Sequence, residues 1–197
     1  MVVVTPPVIH TTTFGADTMV PMPTLRGPDL TDLKPHIVDV PDFPLPGILF
    51  RDVMPLLRTH FEPTIAALDA LLTAEEWAQV DAVAGIEARG FIMGAALALR
   101  RGKGFIPIRK QGKLPPPVSS LAYQLEYGTA TLEMQPGSGR VIVVDDVMAT
   151  GGTMTAAAEL CARSGFTVSA LVALIDLKLI PELRWNGLAL RAALVYE

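Results

Sequence analysis

The segment that most constrains this chain is Val141-Ile142-Val143-Val144-Asp145-Asp146-Val147-Met148-Ala149-Thr150-Gly151-Gly152-Thr153. Four consecutive β-branched residues read as a strand covered on both faces, the situation of a parallel sheet. Such sheets belong to α/β folds with flanking helices. Asp145 and Asp146 fall where this strand is expected to end, and open α/β sheets bind ligands at the carboxyl ends of their strands. Ala149 to Thr153 then supplies two hydroxyls and two glycines ahead of a helical pattern. Glycines let backbone approach an anion, and the first N–H groups of a helix point towards it. Acceptors for sugar hydroxyls thus stand beside a phosphate cradle, a pairing that suits a ribose 5-phosphate. The loop has neither the Gly-Lys-Ser/Thr of a P-loop nor a Gly-x-Gly-x-x-Gly dinucleotide fingerprint.

A length of 197 residues sets one domain as the expectation and suffices for a full core. The net charge of −4 argues against general nucleic-acid binding but leaves an anionic small substrate open. Cys161 is the single cysteine, so no internal disulfide forms, which fits a reducing cytoplasm. It falls on the apolar face of a predicted helix and reads as a core residue, not a nucleophile. The three histidines are scattered and suggest no metal cluster. No apolar run approaches the ~18 residues of a membrane-spanning helix.

Residues 1–28 have no helical period and are rich in Thr, Pro and Val near their start. They read as an irregular N-terminal arm, a tag-like extension, or a stretch ahead of a later start at Met19 or Met22. The remainder, 29–197, is expected to form the functional domain. Pro28 to Val40 has the spacing of a short helix. Asp42 to Asp52 carries Pro44, Pro46 and Gly47, which fix a non-helical path. That rigid loop either packs as a connection or holds a flat ring, with Phe50 available to stack on it. Thr59-His60-Phe61-Glu62 is a capping-box pattern ahead of a helix to about Leu72, with a further turn at Thr73 to Trp77. His60 reads as a surface residue near that helix start.

Val80 to Gly85 is the next predicted strand, delivering Ile86-Glu87-Ala88-Arg89-Gly90 to the same sheet edge. Phe91 to Arg101 follows as a helix stopped by Gly102. Arg89 there is either an ordinary surface arginine or an anion ligand, since its guanidinium forks onto phosphate. Phe105 to Ile108 is a short strand leading into Arg109, Lys110 and Lys113, a positive flap. Tyr123 to Tyr127 and Thr129 to Gln135 alternate as two strands around a turn at Gly128, a hairpin lid. Further elements are a helix at Thr153 to Arg163, a buried strand at Val168 to Leu177 and a last strand at Leu188 to Tyr196. No internal repeat is visible.

The Asp145 to Thr153 segment resembles the 5-phosphoribosyl 1-pyrophosphate (PRPP) motif of the type I phosphoribosyltransferases. Asp-Phe-Pro-x-Pro-Gly-Ile-x-Phe-Arg-Asp at 42–52 resembles the signature of the adenine phosphoribosyltransferase family, and Glu126-Tyr127-Gly128 matches that family's Glu-Tyr-Gly. The resemblance covers about residues 29–197. It implies a mostly parallel twisted α/β sheet flanked by helices, with a small hairpin hood at about 109–135. It implies a glycosyltransferase of purine salvage: adenine and PRPP give AMP and pyrophosphate through an oxocarbenium-like displacement assisted by Mg²⁺.

Roles follow by resemblance. Asp145 and Asp146 bind the ribose hydroxyls, and Ala149, Thr150, Gly151, Gly152 and Thr153 bind the 5′-phosphate. Arg89 contacts PRPP from the pyrophosphate loop, where the family often has a cis non-proline peptide, and Lys110 and Lys113, at the start of the hood, approach the pyrophosphate. Leu49, Phe50 and Arg51 contact adenine, largely through backbone, and Leu177 flanks it. Glu126 is the general acid/base, and Tyr127 closes the lid. Asp176 stands where the family usually has Glu, which weakens any role carried to it. Mg²⁺ is expected to arrive on PRPP and not on a set of protein ligands. The resemblance also implies a cytoplasmic homodimer with no nucleic-acid or membrane partner. The competing readings are a related enzyme for xanthine or guanine, which the 42–52 loop disfavours, and a PRPP-sensing regulator, which would need a DNA-binding domain.

Overall fold

The computed structural model describes residues 32–125 and 128–196. The N-terminal arm, Glu126 and Tyr127 therefore lie outside the described residues. A short 3₁₀ turn at Lys34–His36 opens the described chain, followed by β1 (Val38–Pro41) and β2 (Leu49–Asp52). The helix expected up to Val40 gives way here to β1, which pairs antiparallel with β2, Val38 facing Asp52 and Pro41 facing Leu49. Cross-strand pairing overrides a local helical spacing.

Two helices follow where one was expected: α1 (Met54–Thr59) and α2 (Phe61–Asp69). Thr59 does not cap α2, because its hydroxyl donates to Pro55 O inside α1 at 2.9 Å. His60 does stand at the start of α2, half-buried and stacked on His36 at 3.6 Å between ring centroids. The capping box forms one element later, at α3 (Ala74–Ala78). There Glu76 N donates to Thr73 Oγ1 at 3.2 Å, and Thr73 N donates to Glu76 Oε2 at 2.8 Å.

Next come β3 (Ala82–Ile86), α4 (Arg89–Arg101) and β4 (Gly104–Lys110). A hairpin of β5 (Ser119–Leu125) and β6 (Gly128–Met134) precedes β7 (Gly139–Met148), α5 (Gly152–Arg163), β8 (Phe166–Asp176), β9 (Arg184–Trp185) and β10 (Leu188–Val195). Gly128 begins β6 instead of forming the turn alone. Among the described residues, eight strands make one sheet in the order β5-β6-β4-β3-β7-β8-β10-β9, while β1 and β2 form a separate pair. Neighbours from β4 through β10 run parallel, and β6, β5 and β9 are antiparallel additions. The expected mostly parallel α/β sheet with a hairpin hood is the observed architecture.

The buried strands alternate between two cores. Ile142 and Val144 face one with Val83, Met93 and Leu97, and Val141 and Val143 face the other with Ala157, Leu160 and Cys161. Helix α4 thus covers one face and α5 the opposite one. The connections also diverge: from β3 the chain crosses to β4 on one side, and from β7 to β8 on the other. Strand order therefore reverses between β3 and β7, and a crevice opens at their carboxyl ends.

Candidate active site

Asp145 and Asp146 do not end their strand, as the sequence suggested. β7 runs on to Met148, paired to β8 as far as Met148 opposite Asp176, whereas its pairing to β3 stops at Val144 opposite Gly85. The two acids therefore occupy the stretch where the ladder continues on one side only, at the crevice.

Arg89 begins α4, straight after the Glu87–Ala88 peptide, which is cis. Gly90 lets that helix start lie on β7: a Cβ there would meet Val144 O at 2.8 Å and Asp145 Oδ1 at 3.1 Å. This close seat brings Arg89 Nε to 2.6 Å from Asp146 Oδ2. The pair spans the crevice. It lies off hydrogen-bond geometry, and Oδ2 is buried with no hydrogen bond among the described residues. Asp145 Oδ1 accepts from Asp146 N at 2.9 Å. Burial, and then the neighbouring Asp146 charge, hold the Asp145 carboxyl well above the usual carboxylate range. Two adjoining carboxylates in one crevice form a site that favours a hydroxyl-rich or cationic guest.

Ala149 to Thr153 folds around a cavity of about 100 Å³, lined also by Asp145 and Gln124. Gly151 takes φ +83°, a left-handed turn that starts α5, and no side chain caps the helix. The first-turn N–H groups have no intrahelical partner, so the loop is a cradle for an anion. Strand β5 packs across it: Tyr123 Oη lies 3.3 Å from Thr153 Oγ1. Arg89, Asp145, Asp146 and the Ala149–Thr153 loop are therefore one constellation.

The base-loop residues adjoin it. Arg89 Cζ sits 5.1 Å from the centre of the Phe50 ring, and Phe43 meets that ring edge-on. Leu49 is exposed, and Leu177 follows β8 with its N–H donating to Met148 O at 3.0 Å. The Arg51 guanidinium is ion-paired with Asp39 and lies over the Tyr196 ring. That side chain is thus committed elsewhere, which leaves backbone as its means of contacting a base. Asp176 is also committed, its Oδ1 accepting from Lys178 N at 2.8 Å and its Oδ2 lying 2.9 Å from Lys178 Nζ.

The positive flap differs from expectation. Arg109 and Lys110 belong to β4, and Lys113 to the exposed turn beyond it. Glu87, which the sequence reading gave no role, organises them. Its Oε2 accepts from Lys110 N at 3.0 Å and from Arg109 Nε at 3.3 Å. The Lys110 backbone bond and Arg109 hold the Glu87 carboxyl below its ordinary range, against desolvation. Arg109 in turn donates to Lys113 O at 2.9 Å. Among the described residues neither Lys110 nor Lys113 has an ion-pair partner, and both are exposed. Glu87, Tyr123 and Tyr196 went unassigned because only long-range contacts reveal them. Glu126 and Tyr127, expected at the hood tip, lie outside the described residues.

Residues 64–189 match the family model described as "Phosphoribosyl transferase domain". The chain is 49% identical over 166 residues to the adenine phosphoribosyltransferase of Hydrogenovibrio crunogenus, covering 84% of this chain and 96% of that one. The solved adenine phosphoribosyltransferase of Rhodothermus marinus is 41% identical with a TM-score of 0.70, covering 83% of this chain and 96% of its own. That of Saccharomyces cerevisiae, solved with adenine and an imino-altritol bisphosphate, is 34% identical with a TM-score of 0.73, covering 82% and 96%.

Proposed function

This chain belongs to the phosphoribosyltransferase family, among relatives named adenine phosphoribosyltransferase, and on that premise we propose how it makes AMP. It is a transferase of purine salvage that moves the 5-phosphoribosyl group of PRPP onto adenine and releases pyrophosphate. The observation that carries the reading is the Arg89–Asp146 pair at 2.6 Å, with the adjoining Asp145 lining the phosphate cradle and the Phe50 ring 5.1 Å from Arg89 Cζ.

The Ala149–Thr153 loop takes the 5′-phosphate, and Asp145 and Asp146 take the ribose hydroxyls. Arg89, Lys110 and Lys113 balance the pyrophosphate. Adenine stacks at Phe50 between Leu49, the Arg51 backbone and Leu177. As the bond from C1 to pyrophosphate lengthens, positive charge develops on the ribose. The fixed carboxylates and the positioned base lower that barrier without a covalent nucleophile. Glu126, by the motif it shares with the family, handles the purine proton, and Tyr127 closes over it.

Magnesium fits as an ion brought by PRPP. Among the described residues no group of three His, Cys, Asp or Glu stands ready for a metal. Mg²⁺ needs only one or two carboxylates beside phosphate oxygens. Asp145 and Asp146 are such a pair, and the raised Asp145 carboxyl is one that a nearby cation would help to ionise. When bound, the ion neutralises charge on the leaving pyrophosphate.

We place the reaction in the cytoplasm, where a lone buried thiol such as Cys161 persists reduced. We also expect a homodimer, formed where exposed Met54, Phe61 and Ile92 surround a shallow concavity of about 630 Å³.

The deciding assay is AMP formation from adenine, PRPP and Mg²⁺, with hypoxanthine, guanine and xanthine alongside. Turnover with adenine alone is expected. Preference for an oxopurine would overturn the base assignment, and PRPP binding without turnover on any base would overturn the enzyme.

A further inference from the structure

The strands that would read the base do not belong to the main sheet. Among the described residues, β1 and β2 pair as strands only with each other, whereas Leu177 hangs from the end of β8. Something must hold these two banks at a fixed width for a planar ring. Tyr196, just past the end of β10, touches both. Its N–H donates to Asp176 O at 2.9 Å, next to Leu177. Its ring lies under the Arg51 guanidinium, with Cζ 4.3 Å from the centroid, and Lys34 Nζ stands 5.1 Å from the same centroid. Arg51 is held in that pose by Asp39 and is only 19% exposed at its side chain. Leu177 and Tyr196 pack against the same apolar core.

We infer that Tyr196 is a positioning residue for the purine subsite, bridging the β2 residues Leu49–Arg51 to Leu177 through its ring and its backbone. The inference rests on the base-site reading above. Its reach is limited to the base, because Tyr196 contacts neither the phosphate loop nor the Asp145–Asp146 pair by any hydrogen bond or ion pair among the described residues. Loss of the aromatic face should let β2 drift relative to Leu177 while leaving the ribose and phosphate contacts intact.

The test is steady-state kinetics on the full chain, with KM for adenine and for PRPP measured separately. Tyr196→Phe keeps the ring face and should stay within about twofold of the parent in both constants. Tyr196→Leu keeps apolar bulk but removes the face. It should raise adenine KM about fivefold, the equivalent of ~1 kcal/mol, with PRPP KM unchanged. An unchanged adenine KM in a folded Tyr196→Leu protein, or an equal rise in PRPP KM, overturns the proposal. Should Tyr196→Leu fail to fold, Arg51→Met removes the same contact from the other side, and an unchanged adenine KM there overturns it equally. Phe50→Ala separates the two levels. If it leaves adenine KM unchanged, the base-site reading itself falls. If it raises adenine KM while Tyr196→Leu does not, the tether alone falls.

Discussion

Arg89→Met is expected to destabilise the protein more than Asp146→Asn, and the asymmetry follows from solvent access. The Asp146 side chain is 8% exposed and that of Arg89 32%. Two unit charges about 4 Å apart at an effective dielectric near 20 attract by ~4 kcal/mol. Water at the arginine screens part of this, so the net loss on removing Arg89 is about 2 kcal/mol. Among the described residues nothing else compensates, because Asp146 Oδ2 has no hydrogen bond there. In a chain of this size each kcal/mol moves the melting temperature by about 2–4 °C, so Arg89→Met should melt about 4–8 °C lower. Asp146→Asn removes the buried charge and leaves a guanidinium that water still reaches, so its loss is smaller. Adding Asp146→Asn to Arg89→Met should recover most of the melting temperature without restoring turnover. Calorimetry of the four proteins reads the stability half, and AMP formation the catalytic half. A melting temperature for Arg89→Met within about 1 °C of the parent, or a double variant no more stable than Arg89→Met, would refute the reasoning.

Two further outcomes test the surroundings. The raised Asp145 carboxyl means that the folded chain holds this proton more tightly than the unfolded chain. Ionising it therefore costs folded-state stability at high pH, and the penalty fades as pH falls through the folded value towards the ordinary range near ~4. Asp145→Asn should accordingly raise the melting temperature at pH above neutrality, lose that advantage in acid, and lower turnover; paired melts across pH would expose an absent gain. Burial pushes the Cys161 thiol up to about 12, so a thiol reagent near neutral pH should label it only after denaturation. Labelling of the native protein at the rate of a free thiol would contradict its place in the core.

The parallel strands were legible because burial on both faces demands unbroken apolar runs, as in Val141–Val144 and Ala170–Ile175. The acids and the small-residue loop were legible for the same reason: chemistry at a strand end interrupts such a run abruptly. What local pattern could not show was how far pairing extends. β4 carries Arg109 and Lys110 because β6 supplies partners at Glu133 and Leu132, and β1 exists because β2 faces it. Thr59 fits the local pattern of a cap but does not act as one, because α1 engages its hydroxyl through Pro55. Glu87 and Tyr196 carry no local signal, since their partners lie 22 or more residues away for Glu87 on Arg109 and in distant elements for Tyr196.

Among the described residues, the hairpin of β5 and β6 pairs with β4 at two positions, Arg109 with Glu133 and Lys110 with Leu132, with one further backbone bond from Gln111 N to Thr131 O, and the β1–β2 pair shares no ladder with the sheet. Both are grafts on the trunk that we propose holds the ribose. Descent can therefore lengthen, shorten or exchange either graft without re-registering a single parallel strand. Related proteins that handle other bases are expected to differ most at these two appendages and least between β3 and β7, where any shift would displace the proposed seat of the sugar phosphate.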